Sequence, residues 1–295
     1  MNKPKVTIGM CVHDPSAIFT SIVSSWLPIL DQGHELLIYD DGSKSPIKNL
    51  IQSENTNRIR IIRSELNKGI GHGRQVIYLE AKYDLIAFAD ADDFSHPERI
   101  ETSIKKLIAN SKINHANLVY ASSEKRYETG LIVQEQTTDN SLGINELIKR
   151  QTSVSSESFI TPASVLMFSR SEVNTAFDVN FHRLEDIEWL WHINTKMPLN
   201  LISTDSVLVY RYDEIKSSVK TKHNDVSEIK LFEKYSSIIG GRLTKLNLDW
   251  FRLKSMYFMG NYLALFRLLF VFIMRYKIDG VRKILIGGER RMKKC

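Results

Sequence analysis

Apolar residues in the first 95 positions follow two alternating spacings. Short, nearly continuous apolar runs predict four buried strands, at Val6–Val12, Glu35–Asp40, Ile59–Arg63 and Leu85–Ala89. Between these runs, a wider spacing predicts helices at Pro15–Leu30 and Gly69–Lys82. The last of the four runs is apolar at every position, as expected for a strand that is covered on both faces. This alternation predicts an α/β fold, with helices on both sides of a mostly parallel sheet that winds right-handedly.

The pattern becomes less regular after Asp93. It predicts two further helices and four further strands, at Pro97–Asn110, Glu185–Lys196, Asn117–Ser122, Arg126–Gln134, Ala163–Phe168 and Val207–Tyr212. Two polar stretches predict loops, at 135–161 and 213–225, and the chain after residue 225 has helical spacing throughout. We therefore predict a domain over residues 1–225, with halves of about 1–95 and 96–225, followed by a helical extension over 226–295.

Composition narrows the class of protein. The chain is 43% hydrophobic and 25% charged, which is ordinary for a packed globular protein. Its two cysteines, Cys11 and Cys295, stand at opposite ends of the chain, which favours a reducing, cytoplasmic compartment. The first residues do not have the pattern of a secretory signal. The longest apolar run, Tyr262–Met274, is interrupted by Arg267 and is shorter than the roughly 20 residues of a membrane-spanning helix.

Positive charge is concentrated at the end of the chain. Residues 251–295 hold eleven Lys and Arg and two acidic residues, so this segment has a net charge of +9. Because the whole chain has a net charge of +6, the first 250 residues carry −3. An acidic body argues against nucleic-acid binding by the main domain. The basic tail is also rich in aromatic and aliphatic residues, which favours a helix lying on an anionic membrane surface. The alternative is a helical subdomain that packs on the core and has a basic outer face.

Acidic residues follow two of the predicted strands. Asp40-Asp41 comes at the end of the second strand, and Asp90-Ala91-Asp92-Asp93 follows the fourth. Parallel sheets bind ligands beyond the carboxyl ends of their strands, and the commonest winding places strand one between strands two and four. Both groups should therefore flank one crevice, where like charges need a cation between them. Carboxylates suit Mg²⁺ or Mn²⁺ bound to substrate phosphates. The alternative is that Asp92-Asp93 only caps the helix predicted from Pro97.

These motifs, in this order, resemble those of the family 2 inverting glycosyltransferases, which have the GT-A fold. The matching segments are Asp40-Asp41-Gly42-Ser43, Asn67-Lys68-Gly69, Phe88-Ala89-Asp90-Ala91-Asp92-Asp93 and Glu185-Asp186. The resemblance covers roughly residues 5–212. It implies that the half at about 1–95 binds a nucleotide-sugar and that the half at about 96–225 binds the acceptor.

The resemblance also implies roles for individual residues. Asp40 and Asp41 correspond to carboxylates that contact the base and ribose, with Asn67, Gly69 and Arg74 also on the donor side. Asp92 corresponds to the direct metal ligand and Asp90 to the ribose-side member of the Asp-x-Asp pair. Asp186 corresponds to the general base, with Glu185 beside it. His223 is a candidate third metal ligand, although most lone histidines in loops are solvated.

Several residues have a second interpretation. Acidic side chains in the first turn of a helix are stabilised by the helix dipole, whatever their function, so Glu185 and Asp186 have a structural explanation as well. Glu188, one turn further, is a less favoured base. Lys68 and Arg74 either approach the diphosphate or lie on a solvated face. The chain also departs from the family pattern, with Val12-His13-Asp14-Pro15 after strand one and Arg74-Gln75 where Arg-Asn is common.

The resemblance implies sugar transfer from a nucleotide diphosphate, most simply a UDP-sugar, with Mn²⁺ or Mg²⁺ as cofactor. The implied acceptor is a glycan or lipid-linked glycan in bacterial surface polysaccharide or lipopolysaccharide synthesis, and the implied location is the inner face of the cytoplasmic membrane. Two alternatives remain. One is a glycosyltransferase-like binding protein without turnover, and the other is a sugar-nucleotide pyrophosphorylase. The Gly-rich, Arg-containing loop of the pyrophosphorylases after strand one is missing here.

Overall fold

The structure is a computed structural model. It describes residues 3–51, 58–126, 132–135, 163–212, 227–235, 249, 252–253 and 267–275. The chain divides into two compact units, the first comprising Met1–Gly143 and Ile160–Lys216 and the second Ile144–Phe159 and Ser217–Cys295. The predicted loop at 135–161 begins one residue too early, because Glu135 is in a strand. The rest of that loop, the predicted loop at 213–225 and His223 lie outside the described residues.

The first unit is built on one nine-stranded sheet. Its strands are β1 Val6–Val12, β2 Glu35–Asp41, β3 Ile59–Ser64, β4 Leu85–Asp90, β5 Asp93–Ser95, β6 Ala116–Arg126, β7 Ile132–Glu135, β8 Leu166–Ser169 and β9 Leu199–Tyr212. They lie in the order β3-β2-β1-β4-β8-β6-β9-β5, and β7 pairs with β6 outside this path. Strands β1 to β4 are parallel, as predicted, and β1 lies between β2 and β4. The second half is mixed, because β8 runs antiparallel to both β4 and β6.

Helices flank this sheet. The bounds are α1 Phe19–Leu30, α2 Ile70–Glu80, α3 Arg99–Asn110, α4 Arg170–Val173 and α5 Glu185–Lys196, all in the first unit, and α6 Ser227–Lys234 in the second. Residues 267–275, also in the second unit, are helical. Side chains from α1, β1, β2 and β4 form the main apolar core, with Trp26 and Phe19 fully buried at its centre. None of the described helices is long and apolar enough to cross a membrane.

The first helix begins later than predicted. Pro15 lies outside it, because the segment before it is fixed to the loop after β2. The amide of Asp14 donates to Ser43 Oγ at 3.0 Å, and Asp14 Oδ1 accepts from the amide of Lys44 at 2.8 Å. Asp14 also has a positive φ of 43°, so helical geometry cannot extend through it.

The strand β5 was not predicted from the sequence. It has only three residues, two of them polar, so it shows no strand periodicity. It forms because the end of β9 offers Arg211 and Val209 as antiparallel partners of Asp93 and Ser95. The strand β9 itself begins at Leu199, well before the predicted Val207. The acid cluster is therefore followed at once by a paired strand, and α3 begins only at Arg99.

Two glycines allow α2 to lie close to its neighbours. A Cβ atom on Gly73 would lie 2.7 Å from Cys11 Sγ and 2.8 Å from Tyr39 Cδ1. A Cβ on Gly71 would lie 2.5 Å from the backbone oxygen of Phe181, in the segment that leads into α5. These distances are shorter than van der Waals contact, so larger residues cannot occupy either position without displacing the helix. The Gly-rich start of α2 thus brings it against both the sheet and the start of α5.

Candidate active site

Three carboxylates converge just beyond β4. One oxygen from each of Asp90, Asp92 and Asp93 lies within 4.8 Å of the others. Burial, together with the charge of Asp90, raises the pKa of Asp92, and the same two causes raise the pKa of Asp93 to about 8. Such a group is unfavourable as three anions and favourable around a cation. The donor set consists of hard oxygen ligands, so it fits Mg²⁺ or Mn²⁺.

Asp93 completes this group, although the metal ligands predicted from the sequence are Asp90, Asp92 and His223. The capping alternative for Asp92-Asp93 is wrong, because the N-cap of α3 is Glu98, which makes no side-chain capping hydrogen bond. Asp93 is 6% exposed, and its Oδ2 accepts no hydrogen bond from the described residues. Arg211 Nε forms an ion pair with this oxygen at 3.5 Å, which is too long for a strong hydrogen bond, so a bound ion would supply the closer contact.

Arg99 lies beneath the acid cluster and was not predicted. It is 2% exposed, and it donates to the backbone oxygens of Phe88 and Ser164 at 2.7 Å each. Burial lowers the pKa of its guanidinium to about 10, and the charges of Asp93 and Asp90 oppose that change. Arg99 thus ties the end of β4 to the turn before β8.

A second buried arginine joins β4 to α5. Arg74, in α2, forms an ion pair with Glu185, and its Nη2 lies 3.6 Å from Asp90 Oδ1. Burial disfavours its charge, but Glu185, Asp186 and Asp90 together raise its pKa. The interpretation of Arg74 as a solvated surface residue is wrong, since it is 4% exposed.

The first turn of α5 presents Glu185 and Asp186 differently. Glu185 is buried against Arg74, and burial raises the pKa of its carboxyl despite that cation. Asp186 is partly exposed, and its two oxygens accept from the amides of Ala163 at 3.3 Å and Ile187 at 2.9 Å. Leu184, which precedes the helix, is in the left-handed region with φ 61°. Of the two acids, Asp186 is therefore the one that a substrate can reach.

The carboxylates of Asp40 and Asp41 are occupied by protein donors. Asp40 is fully buried, pairs with Arg63, and accepts from the amides of Ser43 at 3.0 Å and Ile47 at 3.1 Å. Burial acts to raise the pKa of Asp40, but these hydrogen bonds outweigh it and lower the pKa overall.

Asp41 holds the turn that leads into α2. It accepts from the amides of Lys68 and Gly69 at 2.8 Å each, while Asn67 Oδ1 accepts from Gly69 at 3.0 Å. Gly69 has φ 88° and ends this turn. The Asp-Asp and Asn-Lys-Gly segments therefore form one hydrogen-bonded rim beside the acid cluster, and donor contacts by Asp40, Asp41, Asn67 and Gly69 stay predictions.

The remaining large side chains of α5, and its third acid, belong to the core. Trp189 and Trp191 are buried, and Trp189 donates to the backbone oxygen of Thr175 at 2.7 Å and stacks on Phe177. Glu188 is fully buried, so it is not placed to meet an acceptor. Sequence reasoning missed Arg99 and Arg211, which gave little signal because each owes its role to contacts between distant segments. Asp93 lies in the acidic motif itself, so the motif was the signal that could have added it to the ligand set.

Comparison with known proteins agrees with this geometry. The family described as Glycosyl transferase family 2 matches residues 16–169. An uncharacterized glycosyltransferase of Haemophilus influenzae is 27% identical over 129 residues, which are 42% of this chain and 51% of that protein. The chain thus spans about half the length of this relative. The bifunctional glycosyltransferase pgtA of Dictyostelium discoideum is 36% identical over 88 residues, 27% of this chain and 11% of that protein.

Solved structures show the same fold. S. aureus TarS 1-349 superposes with a TM-score of 0.57 over 87% of this chain and 72% of that one, at 13% identity. TarS 1-349 in complex with UDP-GlcNAc gives a TM-score of 0.58 over 92% and 81% of the two chains, at 12% identity. The sheet and its flanking helices are those of a GT-A glycosyltransferase. The chain belongs to glycosyl transferase family 2, which counts against the pyrophosphorylase alternative.

Proposed function

We propose that this protein transfers a sugar, with inversion, from a nucleotide diphosphate to an acceptor hydroxyl. The observation that carries this proposal is the span of Arg74, which pairs with Glu185 at the start of α5 and lies 3.6 Å from Asp90 at the end of β4. This span supports a single site that includes the acid cluster and the partly exposed carboxylate of Asp186. A metal-bound donor and an activated acceptor need this arrangement.

Asp186 is the proposed general base. The acceptor oxygen forms a bond to the anomeric carbon as the bond from that carbon to the diphosphate oxygen breaks, and the acceptor proton passes to Asp186. The charge released on the diphosphate needs stabilisation on the opposite side of the sugar. Asp90, Asp92 and Asp93 would hold the ion, and a bound Mn²⁺ or Mg²⁺ supplies Lewis-acid stabilisation of that charge. His223 remains a candidate further ligand.

The proposed donor is a UDP-sugar. The support is the family resemblance together with TarS, a protein of the same fold that has been solved with UDP and with UDP-GlcNAc. The rim formed by Asp41, Asn67 and Gly69 would receive the base and ribose. The proposed acceptor is a glycan or lipid-linked glycan of bacterial surface polysaccharide or lipopolysaccharide.

A lipid-linked acceptor would suit an enzyme on the inner face of the cytoplasmic membrane. Helical residues 267–275 expose several large apolar side chains, with Phe270 at 68% and Met274 at 64%, between Arg267 and Arg275. Apolar side chains flanked by basic ones are typical of helices that lie in a membrane interface. We propose that this helix contacts an anionic membrane surface.

Hydrolysis of a panel of nucleotide-sugars, measured with and without Mn²⁺, tests the proposed function. We expect metal-dependent release of UDP from at least one UDP-sugar. Tight UDP binding with no release of nucleotide from any donor, in the presence of candidate glycans, would instead support a binding protein without turnover. The Asp186→Asn variant is the matched control, since it should bind UDP as the wild type does but cleave little UDP from the UDP-sugar.

A further inference from the structure

Arg74 occupies an unusual place for a charged residue. It lies in the middle of α2, its side chain is 5% exposed, and its guanidinium lies 5.9 Å from the centre of the Phe88 ring. A cation is costly to bury unless carboxylates surround it, and here Glu185 and Asp90 do so from two different elements. Because such burial is costly, we expect the Arg74 side chain to have a specific role in the site.

The two contacts of Arg74 use different nitrogens. Nη1 pairs with Glu185 at the first residue of α5, and Nη2 lies 3.6 Å from Asp90 at the last residue of β4. A guanidinium is planar and rigid, so two contacts from one group fix the separation of their partners. A lysine, with a single nitrogen, could not span both in the same way.

Exposure separates the three members of this group. Side chains of Arg74 and Glu185 are 5% and 6% exposed, whereas that of Asp90 is 30% exposed. Only Asp90 is therefore open to a ligand. Arg74 and Glu185 can affect the reaction only through the residues that they hold, which are Asp90 on one side and the first turn of α5, with Asp186, on the other.

We propose that Arg74 is a positioning residue that sets the distance between the metal-side carboxylate Asp90 and the base Asp186, and that it makes no contact with the donor. This inference rests on the proposed function, because it takes Asp186 as the base. It predicts that Glu185, which no substrate can reach, matters for turnover as much as Arg74 does. It also revises the donor-binding role that the sequence resemblance implies for Arg74.

The test compares Arg74→Met, Glu185→Gln and the double variant with Arg60→Met. Arg60 is the matched control, because its Nε lies 2.9 Å from Glu35 Oε1 in an ion pair at the amino ends of β2 and β3, away from the acids. We expect both single variants to lower kcat on the order of 10²-fold, since small displacements of reacting groups have effects of this size. Their UDP affinity without Mn²⁺ should stay within about twofold of wild type, since neither buried side chain is open to the donor. The double variant should be no slower than the worse single one, as expected for residues that act as a pair.

Other outcomes would overturn the inference. A large loss of UDP affinity with unchanged kcat would mean that Arg74 binds the donor. A lower melting temperature with unchanged kcat would mean a structural role only. If Arg74→Met does not fold because Glu185 is left unpaired, the double variant, which removes both charges, replaces it in the test. A double variant that folds with a wild-type kcat would contradict the positioning role.

Hydrogen exchange separates this inference from the proposed function. If the wild type transfers no sugar, the proposed function fails. Hydrogen exchange of the first-turn amides of α5 would still show whether Arg74 and Glu185 hold this turn in place. Faster exchange in Arg74→Met and in Glu185→Gln, with wild-type exchange in Arg60→Met, would support the positioning role. Unchanged exchange in all variants would contradict it.

Discussion

Arg211 Nε lies 3.5 Å from Asp93 Oδ2, across the antiparallel register pair that joins β5 to β9. The contact places a basic residue from the second half of the sheet against the most buried member of the acid cluster. The Arg211 charge lowers the pKa of Asp93 only in part, since burial and Asp90 raise it to about 8. Asp93 therefore needs a further positive charge to ionise fully at neutral pH, which agrees with a metal ligand.

We predict that Asp92→Ala and Asp93→Asn both abolish the enhancement of UDP binding by Mn²⁺ while the fold is retained. Loss of a ligand or its support commonly costs about 10–100-fold in metal affinity. Calorimetry of UDP binding with and without Mn²⁺ measures this. Asp205→Asn is the control, since Asp205 is exposed and pairs with Lys106. Metal-enhanced binding of wild-type strength in either variant would remove that residue from the proposed ligand set.

We predict that Asp186→Asn keeps donor binding but slows transfer on the order of 10²-fold or more, as expected when a general base is removed. Asn keeps one of the two acceptor oxygens, which can still accept from the amide of Ile187 at the helix start, and loses only the longer contact to the amide of Ala163. Single-turnover kinetics and UDP calorimetry separate the two effects. Near-normal turnover would place the base elsewhere than Asp186.

Stability should fall in mild acid because of His34. This residue is buried, its Nδ1 accepts from the amide of Val6 at 3.1 Å, and burial, aided by the charge of Lys5, lowers its pKa from 6.5 to about 4. As the pH falls, the unfolded chain binds this proton before the folded chain does. The free energy of unfolding is therefore unaffected by His34 above pH 6.5 and decreases as the pH falls towards 4. At its largest this is about 3 kcal/mol, at 1.36 kcal/mol per pKa unit.

His34→Gln tests this, because Gln keeps an acceptor but does not titrate. We expect urea unfolding of the variant to depend less on pH between 6.5 and 4 than that of the wild type. Carboxylates titrate in both proteins, so the comparison cancels their effect. Parallel stability curves for the two proteins over that range would show that His34 does not contribute.

Much of the fold could be predicted from the sequence, because β1 to β4 and α5 have strong local patterns. The order β2-β1-β4, which puts the two acid groups at the carboxyl ends of strands on either side of β1, followed from a general property of parallel sheets. What could not be predicted depends on long-range pairing. The strand β5 exists only because β9 lies beside it, and Arg99 and Arg211 acquire their roles through segments that are far apart in the chain. The sequence motif also gave no sign that Arg63 and two backbone amides would occupy the Asp40 carboxylate.

We predict that Phe270→Ser combined with Met274→Ser weakens binding to anionic vesicles. Both side chains are exposed on helical residues 267–275, and basic residues near such a surface contribute about 1 kcal/mol each, an attraction that salt screens. Co-sedimentation with liposomes at low and high salt measures this. Ile113→Ser, which changes an exposed apolar residue of the first unit, is the control.

A full-length chain that stays in the supernatant with anionic vesicles at low salt would contradict the membrane proposal. Lys and Arg to Gln changes over Arg282–Lys294 provide a second comparison. They should reduce the salt-sensitive part of binding and leave the part that Phe270 and Met274 supply.

The pairing of β5 with β9 has an evolutionary consequence. Asp93 lies in the first third of the chain, but its strand is paired with residues more than a hundred positions later. A recombination event near residue 95 would therefore separate Asp93 from Arg211 and leave the acid cluster without its opposing strand. Descendants of this chain must therefore inherit β5 and the end of β9 together.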